Sequence, residues 1–467
     1  MTKNRTSRQP ELLLATSRSR GDALHTQVEQ GLRDAVRSGH LAAGAAVPST
    51  RALARDLGVS RGVVVEAYAQ LVAEGYLAVR QGAQTLVATG DIATPREDSV
   101  APVVAAKLDF RPGLPELRMF PHKDWERSVR SAARSLCPER LGYPNPVGAI
   151  ALRQALAEYL PRVRGVHASQ RQVITCSGCA QALGVAARAL AGHGVKRIAV
   201  EDPGHPDLRR LVKEAGLSPV GVPVDERGLS VDQLEKARVG AVVVTPAHQF
   251  PSGYVLDPER RRELVAWAVR KNAYIVEDDY DAEYRYDRNP IGAVQGLCPE
   301  RVIYAGSASK ILAPALRLGW LVVPAALMAG AAEAKRVADL GTPILEQIAY
   351  AEMLRRGAVD RHLRKMRVVY RRRRDALLRA LAHHLPGWEP NGAAAGLHVM
   401  VHLPGGVDEA GVVRAARRYS IAIYPAAAYR IHPGRPAIVL GYASLSERQI
   451  ALGIARLARA LEASEEA

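Results

Sequence analysis

Two short segments carry the residues best suited to chemistry. Lys310 lies among small residues in a segment that runs on to Arg317, and Asp278 ends an apolar run about thirty residues upstream. A lysine amine can form a Schiff base, a carboxylate can keep a pyridine nitrogen protonated, and an arginine can bind a phosphate. Together these three groups predict a site for pyridoxal 5'-phosphate. We expect burial there to lower the pKa of Lys310 and to expose its amine as a nucleophile.

Three further residues suit the same cofactor. Ser177 and Gly178 follow an apolar strand and open a helix, so their amides and the hydroxyl can bind a phosphate. Tyr280 can donate a hydrogen bond to the cofactor phenolate. Each group alone also has an ordinary explanation, as a helix cap, a loop carboxylate or a solvated lysine. The prediction depends on their occurrence together, in the order that the cofactor requires.

The N-terminal region has the pattern of a DNA-reading domain. Apolar residues recur at helical spacing from 22 to 40, and the segment 48–61 then predicts a helix, a turn and a second helix. Gly58 supplies the turn, and Ser60 is placed to cap the second helix. Residues 74–87 follow with the pattern of a β-hairpin. The arrangement predicts a winged helix-turn-helix domain.

Such a domain places the start of its second helix in the major groove, where arginine can bond guanine and small polar groups can contact phosphates. The tip of the wing enters the minor groove in this prediction. The alternative is a helical domain in which the same turn serves packing alone. The residues predicted to contact DNA are Arg51, Ser60, Arg61 and Gly62 at the helices, with Gln81 and Gly82 at the wing tip.

Length and composition indicate a globular protein with a polyanionic partner. The 467 residues suffice for one small and one large domain, and the formal net charge of +17 favours a nucleic acid. The sequence contains no apolar run long enough to cross a membrane and no signal peptide, so we expect a cytoplasmic protein. Cys176 and Cys179 lack the second ligand pair that a zinc site requires. We therefore expect no metal.

The chain divides into four segments. Residues 1–15 are predicted to be a disordered tail, 16–88 the winged helix, 89–107 a linker and 108–467 a large domain. In the large domain short apolar strands alternate with helical spans, which predicts an α/β fold with a mostly parallel central sheet. Its last part has the pattern of a smaller α+β subdomain. Ligands bind such sheets beyond the carboxyl ends of the strands, where the candidate residues lie.

Both regions resemble known families. The string VPSTRALARDLGVSRGVVVEAYAQLVAEGYL resembles the winged helix of the GntR family, from which the chain departs at the wing, where Gly82-Ala-Gln-Thr replaces Gly-Ser-Gly-Thr. Residues 108–467 resemble a fold-type I, class I aminotransferase. The matching strings include FRPGLPELRMFPHKDW, GYPNPVGAIALRQALAEYL, CSGCAQAL, VEDPGH, TPAHQFPSGYVLDPERR, VEDDYDAEYRY and SASKILAPALRLGW. The whole chain is similar to the MocR family of GntR-type regulators.

The resemblance implies a role for each candidate residue. Lys310 forms the Schiff base, Asp278 pairs with the pyridine nitrogen and Tyr280 reaches the phenolate oxygen. His205 takes the place of the usual ring-stacking tyrosine, with a smaller ring and a pH-dependent charge. The phosphate is bound by Ser177, Gly178, Ser307 and Arg317, joined by Tyr143 of the partner subunit. The family also implies a domain-swapped, head-to-tail homodimer in which each winged helix rests on the other subunit's large domain.

One departure from the family bears on the ligand. Related aminotransferases carry an arginine in a late strand, where its planar fork binds the α-carboxylate of the substrate, and Val439 occupies that position here. Arg430 and Arg435, in the preceding loop, are the candidates to replace it. The missing arginine makes amino-acid transamination the weaker prediction and favours pyridoxal phosphate itself as the signal.

Three functions are consistent with these features. We favour a pyridoxal phosphate-dependent transcription regulator in which ligand binding at the large domain alters operator binding, with vitamin B6 or amino-compound metabolism as the controlled process. The alternative is an active class I aminotransferase with an appended DNA-binding domain. A third hypothesis is a regulator whose large domain serves only for dimerisation.

Overall fold

The computed structural model describes residues 16–17, 21–79, 84–88, 106–286 and 291–465. Contacts within the chain divide it into two compact units, residues 1–104 and 105–467. Each unit has an apolar core of its own. The predicted tail and most of the predicted linker lie outside the described residues.

The smaller unit contains three helices and a short hairpin. Its elements are α1 (Leu24–Arg37), α2 (Thr50–Asp56), α3 (Arg61–Ala73), β1 (Leu77–Ala78) and β2 (Leu86–Val87), with β1 and β2 antiparallel. Val28 and Leu32 are buried because they lie one turn apart on the same face of α1. Gly58 adopts a left-handed conformation, φ +64°, which a residue without Cβ reaches easily and which turns the chain from α2 into α3. The predicted helix-turn-helix is confirmed.

The two helices of this motif begin differently. Ser49 Oγ accepts a hydrogen bond from the amide of Ala52 at 3.2 Å, which satisfies one of the free amides at the start of α2. Ser60 occupies the same position before α3, but its side chain makes no capping hydrogen bond. The expectation that its hydroxyl caps the helix is therefore wrong, and Ser60 is exposed at the N-terminal end of α3.

The larger unit has the α/β fold predicted from the sequence. Its helices are α4 (His122–Arg134), α5 (Ile150–Arg164), α6 (Cys179–Gly192), α7 (Pro206–Glu214), α8 (Val231–Ala237), α9 (Pro258–Arg270), α10 (Ala325–Asp339), α11 (Ile344–Arg355), α12 (Ala358–His384), α13 (Glu409–Arg418) and α14 (Glu447–Glu465). Its strands are β3 (Leu108–Asp109), β4 (Val173–Cys176), β5 (Arg197–Asp202), β6 (Ser218–Asp225), β7 (Gly228–Leu229), β8 (Ala241–Val244), β9 (Tyr274–Asp279), β10 (Val302–Ser307), β11 (Gly319–Val322), β12 (Glu389–Asn391), β13 (His398–His402), β14 (Ile421–Ala422), β15 (Tyr424–Pro425) and β16 (Ala437–Gly441). In the part of the chain that the structure describes, no helix combines the length and apolar character needed to cross a membrane.

Eight strands form the central sheet in the order β4-β11-β10-β9-β8-β5-β6-β7. The five strands from β10 to β6 in this order run parallel, whereas β11 is antiparallel to both of its neighbours. Side chains of β8 alternate between the two faces: Val243 packs into one apolar cluster with residues of α6, and Val242 packs into another with residues of α9. Helices therefore cover both faces, and the mostly parallel sheet is confirmed.

A smaller antiparallel sheet, in the order β12-β13-β16-β15, forms the C-terminal subdomain. The first strand of the unit, β3, pairs in parallel with β14 of this subdomain. Directly after β3, the carbonyl of Phe110 accepts a hydrogen bond from the amide of Gly441 at 2.8 Å. The start of the larger unit is therefore attached to its C-terminal part.

The central sheet brings several loops to one edge. β4 ends at Cys176, β9 at Asp279 and β10 at Ser307. Because β11 is antiparallel, its first residue, Gly319, pairs with Ser307 on one side and with Cys176 on the other. The loops that follow these strands therefore meet the loop that precedes β11. This is the edge where ligands bind in sheets of this kind.

A buried ion pair connects α5 to β9. Arg164 donates to both oxygens of Asp279, at 2.7 and 3.2 Å, and Tyr304 Oη donates to Asp279 Oδ2 at 2.7 Å. Both charged side chains are almost completely buried. Three hydrogen bonds thus compensate the carboxylate for its loss of water, and the carboxylate neutralises the guanidinium.

Replacing Asp279 by alanine is expected to lower the free energy of unfolding of the larger unit by about 3–5 kcal/mol, because Arg164 would stay buried without a counter-charge. Urea unfolding followed by circular dichroism measures the change. Glu126→Ala is the control, since Glu126 pairs with Arg130 on the exposed surface of α4 and such pairs contribute about 1 kcal/mol or less. Equal losses in the two variants would contradict the assignment.

Candidate cofactor-binding site

Lys310 lies at the carboxyl edge of the central sheet, three residues beyond β10. Its Nζ donates a hydrogen bond to the carbonyl of Gly113 at 2.7 Å, and Tyr284 Oη donates to the backbone carbonyl of Lys310 at 3.2 Å. Burial lowers the pKa of the Lys310 amine, against the attraction of nearby Asp281 and Asp278. Burial thus makes the uncharged, nucleophilic form of this amine easier to reach than for a lysine in water.

The two adjacent aspartates at the end of β9 have different surroundings. Asp279 is committed to the ion pair with Arg164, whereas Asp278 Oδ1 accepts a hydrogen bond from Cys179 Sγ at 3.2 Å. Burial raises the pKa of Asp278 to about 6, opposed by the hydrogen bond from Cys179 and the charge of Lys310. Near neutral pH the Asp278 carboxylate is thus ionised, close to the lysine amine, and suits a protonated pyridine nitrogen.

A compact anion site lies between β4 and α6. Arg317 Nη2 donates to the carbonyl of Ser177 at 2.7 Å. Gly178 has φ +87°, and a Cβ at this position would lie 2.8–2.9 Å from atoms of the Arg317 guanidinium. Only glycine therefore lets the arginine lie against the start of α6, where free amides also attract anions. On the neighbouring strand, Ser307 Oγ accepts a hydrogen bond from the amide of Ser309 at 3.0 Å.

His205 and Tyr280 lie on either side of Phe250. The rings of His205 and Phe250 have centroids 5.4 Å apart, and those of Phe250 and Tyr280 are 6.2 Å apart with an edge contact. Burial lowers the pKa of His205, and the charge of Lys310 acts in the same direction. The His205 side chain is 54% exposed, so its ring remains accessible to a ligand.

Tyr143 is distinct from the other candidates. It is 94% exposed and forms no hydrogen bond or ring contact with the residues that the structure describes. The single chain thus brings together Lys310, Asp278, Ser177, Gly178, Ser307 and Arg317, with His205 and Tyr280 beside them, and leaves Tyr143 in solvent.

The assembled groups fit pyridoxal phosphate. The site offers the amine of Lys310, whose pKa burial lowers, an ionised carboxylate at Asp278 and a guanidinium at Arg317 next to the N-terminus of α6. The missing side chain of Gly178 lets the Arg317 guanidinium lie against the start of α6, so that the arginine and the free amides of the helix can bind one phosphate. Amine, carboxylate and anion site are the three groups that this cofactor requires.

The position of the usual substrate arginine is apolar. Val439 is fully buried in β16, opposite Met400 on one side and Tyr424 on the other. Arg430 donates to Glu409 at 3.1 Å, and Arg435 forms an ion pair with Glu389 at 2.5 Å. Both candidates to replace the missing arginine are therefore already paired with carboxylates.

Four residues of this region have no role in the sequence prediction. They are Gly113 and Cys179, which bond Lys310 and Asp278, and His248 and Asp281, which lie behind Tyr280. Gly113 and His248 lie within strings that match the family, but their residue types do not by themselves predict a role in cofactor binding. The sequence indicates Cys179 only as half of a CxxC pattern. Its actual partner lies 99 residues away in the chain, a separation that local sequence does not reveal.

In the smaller unit, the predicted DNA contacts lie at the start of α3 and on α2. Val64, Ala67 and Leu71 bury one face of α3 against the domain core. The first residues of α3 lie outside this buried face, at the end of the helix that the prediction places in the major groove. Arg51, Ser60, Arg61 and Gly62 are all exposed, whereas Gln81 and Gly82 lie outside the described residues.

Lowering the pH from about 7.5 to about 5.5 is expected to weaken pyridoxal phosphate binding roughly threefold to fivefold through Asp278, because a carboxyl with a pKa of about 6 becomes protonated and no longer attracts a protonated pyridine nitrogen. Asp278→Asn should bind more weakly at pH ~7.5 and lack this part of the pH dependence. Titrations followed by cofactor absorbance measure both effects. Asp232→Asn, at an exposed position, is the control. If cofactor binding by Asp278→Asn depended on pH as strongly as binding by the wild-type protein, Asp278 would not be the carboxylate that pairs with the pyridine nitrogen.

Two family descriptions match the two units. "Bacterial regulatory proteins, gntR family" matches residues 24–87, and "Aminotransferase class I and II" matches residues 119–457. The second match covers most of the chain and includes every cofactor residue predicted in the larger unit. Together they confirm the predicted combination of a DNA-binding helix-turn-helix and an aminotransferase-like fold.

Known proteins share this combination. The chain is 33% identical to the "Probable rhizopine catabolism regulatory protein MocR" of Rhizobium meliloti, covering 97% of each protein. It is 32% identical to the "HTH-type pyridoxine biosynthesis transcriptional regulator PdxR" of Corynebacterium glutamicum, covering 84% of this chain and 86% of that protein. The crystal structure of a multiple substrate aminotransferase from Thermococcus profundus is similar with a TM-score of 0.71 and 28% identity, covering 77% of this chain and 92% of that one.

These similarities confirm pyridoxal phosphate as the cofactor of the larger unit and DNA as the partner of the smaller one. The chain belongs to the MocR family of GntR-type transcriptional regulators, which join a helix-turn-helix domain to a pyridoxal phosphate-binding domain of the aminotransferase fold.

Proposed function

We propose that this regulator senses pyridoxal 5'-phosphate, so that loading of the larger unit changes the affinity of the winged helix for its operator. The observation that carries the proposal is a complete set of cofactor groups without the usual substrate anchor. Lys310, Asp278 and Arg317 lie at one edge of the sheet, whereas Val439 fills the place of the carboxylate-binding arginine. The site fits the cofactor better than it fits an amino-acid substrate. This is the property expected of a sensor.

Each residue of the site has a proposed role in binding. When bound, pyridoxal phosphate supplies an aldehyde that reacts with amines. Lys310 supplies the reacting amine, and burial lowers its pKa and so favours the uncharged form that reacts. Asp278 balances the charge of the pyridine nitrogen, and Tyr280 donates a hydrogen bond to the phenolate oxygen. The phosphate contacts Ser177, Gly178, Ser307 and Arg317, and His205 covers one face of the ring.

The DNA-binding state is proposed to be a homodimer. Helix-turn-helix regulators bind two half-sites about one helical turn apart, so two copies of α3 act together. An exposed aromatic residue such as Tyr143 suits a contact that completes the site of a second subunit. The domain-swapped, head-to-tail arrangement is the one that the family resemblance favours.

Regulation then requires a difference in affinity. Pyridoxal phosphate shifts operator binding only as far as it binds one arrangement of the dimer more tightly than the other. Typical coupling of this kind changes affinity about 5-fold to 150-fold. The relatives from Corynebacterium glutamicum and Rhizobium meliloti are described as regulators of pyridoxine biosynthesis and of rhizopine catabolism, and we propose vitamin B6 or amino-compound metabolism as the process controlled in the cytoplasm.

A working aminotransferase with an added DNA-binding domain is the second candidate. The similarity to solved aminotransferases and the intact lysine support it. Against it, catalysis needs a substrate held in attack geometry, and Arg430 and Arg435 are engaged with Glu409 and Glu389. Multiple turnovers with a panel of amino donors and keto acids, at an ordinary enzymatic rate, would establish this candidate instead.

Arg61→Ala is expected to lower the discrimination between operator and scrambled DNA roughly 5-fold to 150-fold, because an arginine at the start of a recognition helix contributes about 1–3 kcal/mol of discrimination between bases. Pyridoxal phosphate binding should not change. Fluorescence anisotropy with operator and scrambled DNA measures specificity. Arg171→Ala removes the same charge from an exposed site on the larger unit and serves as control. Retained discrimination in Arg61→Ala would show that α3 is not the recognition helix.

Adding pyridoxal phosphate to the cofactor-free protein is expected to change operator affinity at least fivefold, as coupling between two sites requires. Lys310→Ala, which removes the reacting amine, should bind the operator with one affinity whether or not the cofactor is present. The measurement is operator anisotropy at fixed salt, since ionic strength alone changes DNA affinity. Identical operator affinities in the wild-type protein with and without cofactor would disprove sensing of pyridoxal phosphate.

A further inference from the structure

Behind Tyr280 lies a buried polar cluster that the proposed cofactor contacts do not use. Its members are His248, in the loop after β8, Asp281, two residues beyond β9, and His398, the first residue of β13. Each is at most 1% exposed. Burying three such groups costs free energy unless they are well paired, so their hydrogen bonds matter.

His248 connects Asp281 to Tyr280. Its Nδ1 lies 3.0 Å from Asp281 Oδ2 and 3.1 Å from Tyr280 Oη. Tyr280 Oη in turn donates to the backbone carbonyl of His248 at 3.0 Å. Carboxylate oxygens accept hydrogen bonds, so we assign a proton to the imidazole nitrogen that faces Asp281 Oδ2. Nδ1–H therefore donates toward Asp281 and Tyr280.

This tautomer decides where the proton of Tyr280 points. Because Nδ1–H approaches the hydroxyl oxygen as a donor, the hydroxyl hydrogen must point to another acceptor. In this structure that acceptor is the carbonyl of His248. With the opposite tautomer, an unprotonated Nδ1 would itself accept the hydrogen of Tyr280 and withdraw it from any ligand.

We propose that Asp281 and His248 are positioning residues that keep the Tyr280 hydroxyl available as a hydrogen-bond donor to the phenolate oxygen of the cofactor. The proposal rests on the role of Tyr280 given under the proposed function. Asp281 acts through the tautomer of His248, and His248 acts through the hydroxyl of Tyr280. Neither residue needs to touch the cofactor.

The packing around the pair keeps it in place. A Cβ on Gly396 would lie 2.0 Å from His248 Cε1 and 2.6 Å from Asp281 Oδ2, so the backbone of Gly396 approaches both side chains as closely as only glycine allows. The ring of His398 lies 4.8 Å from that of His248, and its Nε2 lies 3.2 Å from the carbonyl of Pro251. The His248 ring is thus confined from several sides.

A metal site is the competing assignment for this cluster. His248, Asp281 and His398 each offer a ligand atom within 4.8 Å of the others, and His248 Nε2 and His398 Nδ1 have no hydrogen-bond partner among the described residues. We favour the hydrogen-bond relay because each contact from Asp281 to Tyr280 is already at hydrogen-bonding distance. A metal would instead have to draw the ligand atoms together to satisfy bond lengths of about 2.0–2.2 Å.

A double-mutant cycle on the full chain tests the relay. Asp281→Leu removes the acceptor at similar volume, and Tyr280→Phe removes the hydroxyl. Each single variant is expected to bind pyridoxal phosphate roughly tenfold more weakly and to shift the absorbance maximum of the bound cofactor, as loss of a buried hydrogen bond predicts. The double variant should bind no more than about twofold more weakly than Tyr280→Phe, since both changes remove one interaction. Asp281→Asn keeps an acceptor oxygen and should restore most of the affinity.

Independent effects, with a loss of roughly a hundredfold in the double variant, would overturn the relay, as would wild-type affinity in Asp281→Leu. If Tyr280→Phe bound pyridoxal phosphate with wild-type affinity, both the relay and the role of Tyr280 would be overturned. The proposed sensing would still be tested separately, by the effect of Lys310→Ala on operator binding. If thermal unfolding shows that Asp281→Leu does not fold, His248→Phe takes its place with the same expectations. One equivalent of tightly bound zinc in the purified wild-type protein, absent from His398→Phe, would establish the metal site instead.

Discussion

The buried ion pair between Arg164 and Asp279 determines how the acidic end of β9 is used. Side chains of a strand alternate between its faces, so Asp279 and Asp278 point in opposite directions. Arg164 and Tyr304 engage Asp279 completely, which leaves Asp278 as the carboxylate that faces Cys179 and the lysine amine. Two neighbouring and chemically identical residues thereby have different surroundings: Asp279 is held in an ion pair, and Asp278 remains the candidate to bind the cofactor.

The topology of the sheet extends this arrangement to the phosphate. β11 inserts between β4 and β10 and runs against both, so the loop before β11 reaches the same edge as the loops that follow β4 and β10. Arg317 lies in that loop and contacts the start of α6 at Ser177. The absence of a side chain at Gly178 makes this contact sterically possible. The anion site is therefore a product of strand order as much as of residue type.

The same fold supports either an enzyme or a sensor, and the difference lies in a few side chains. The lysine and the pyridine-facing carboxylate match an aminotransferase, whereas Val439 is buried among apolar residues where a substrate would need a cation. Arg430 and Arg435 cannot take over without leaving Glu409 and Glu389. With an exposed recognition helix on the same chain, this favours the use of the cofactor as a signal.

The sequence by itself determined the two-domain plan, the fold class and the cofactor, and it indicated Lys310, Asp278 and Arg317 as the candidates to bind that cofactor. These follow from local patterns, such as apolar strand periods, capping and turn residues, and strings that a whole family shares. Only the tertiary structure decided that Cys179 donates to Asp278, that Gly113 bonds Lys310, and that His248 links Asp281 to Tyr280. The partners in the first two contacts lie 99 and 197 residues apart, and those in the third lie about thirty apart on different loops. A hydrogen bond forms when folding brings donor and acceptor within about 3 Å, and no local pattern specifies that distance.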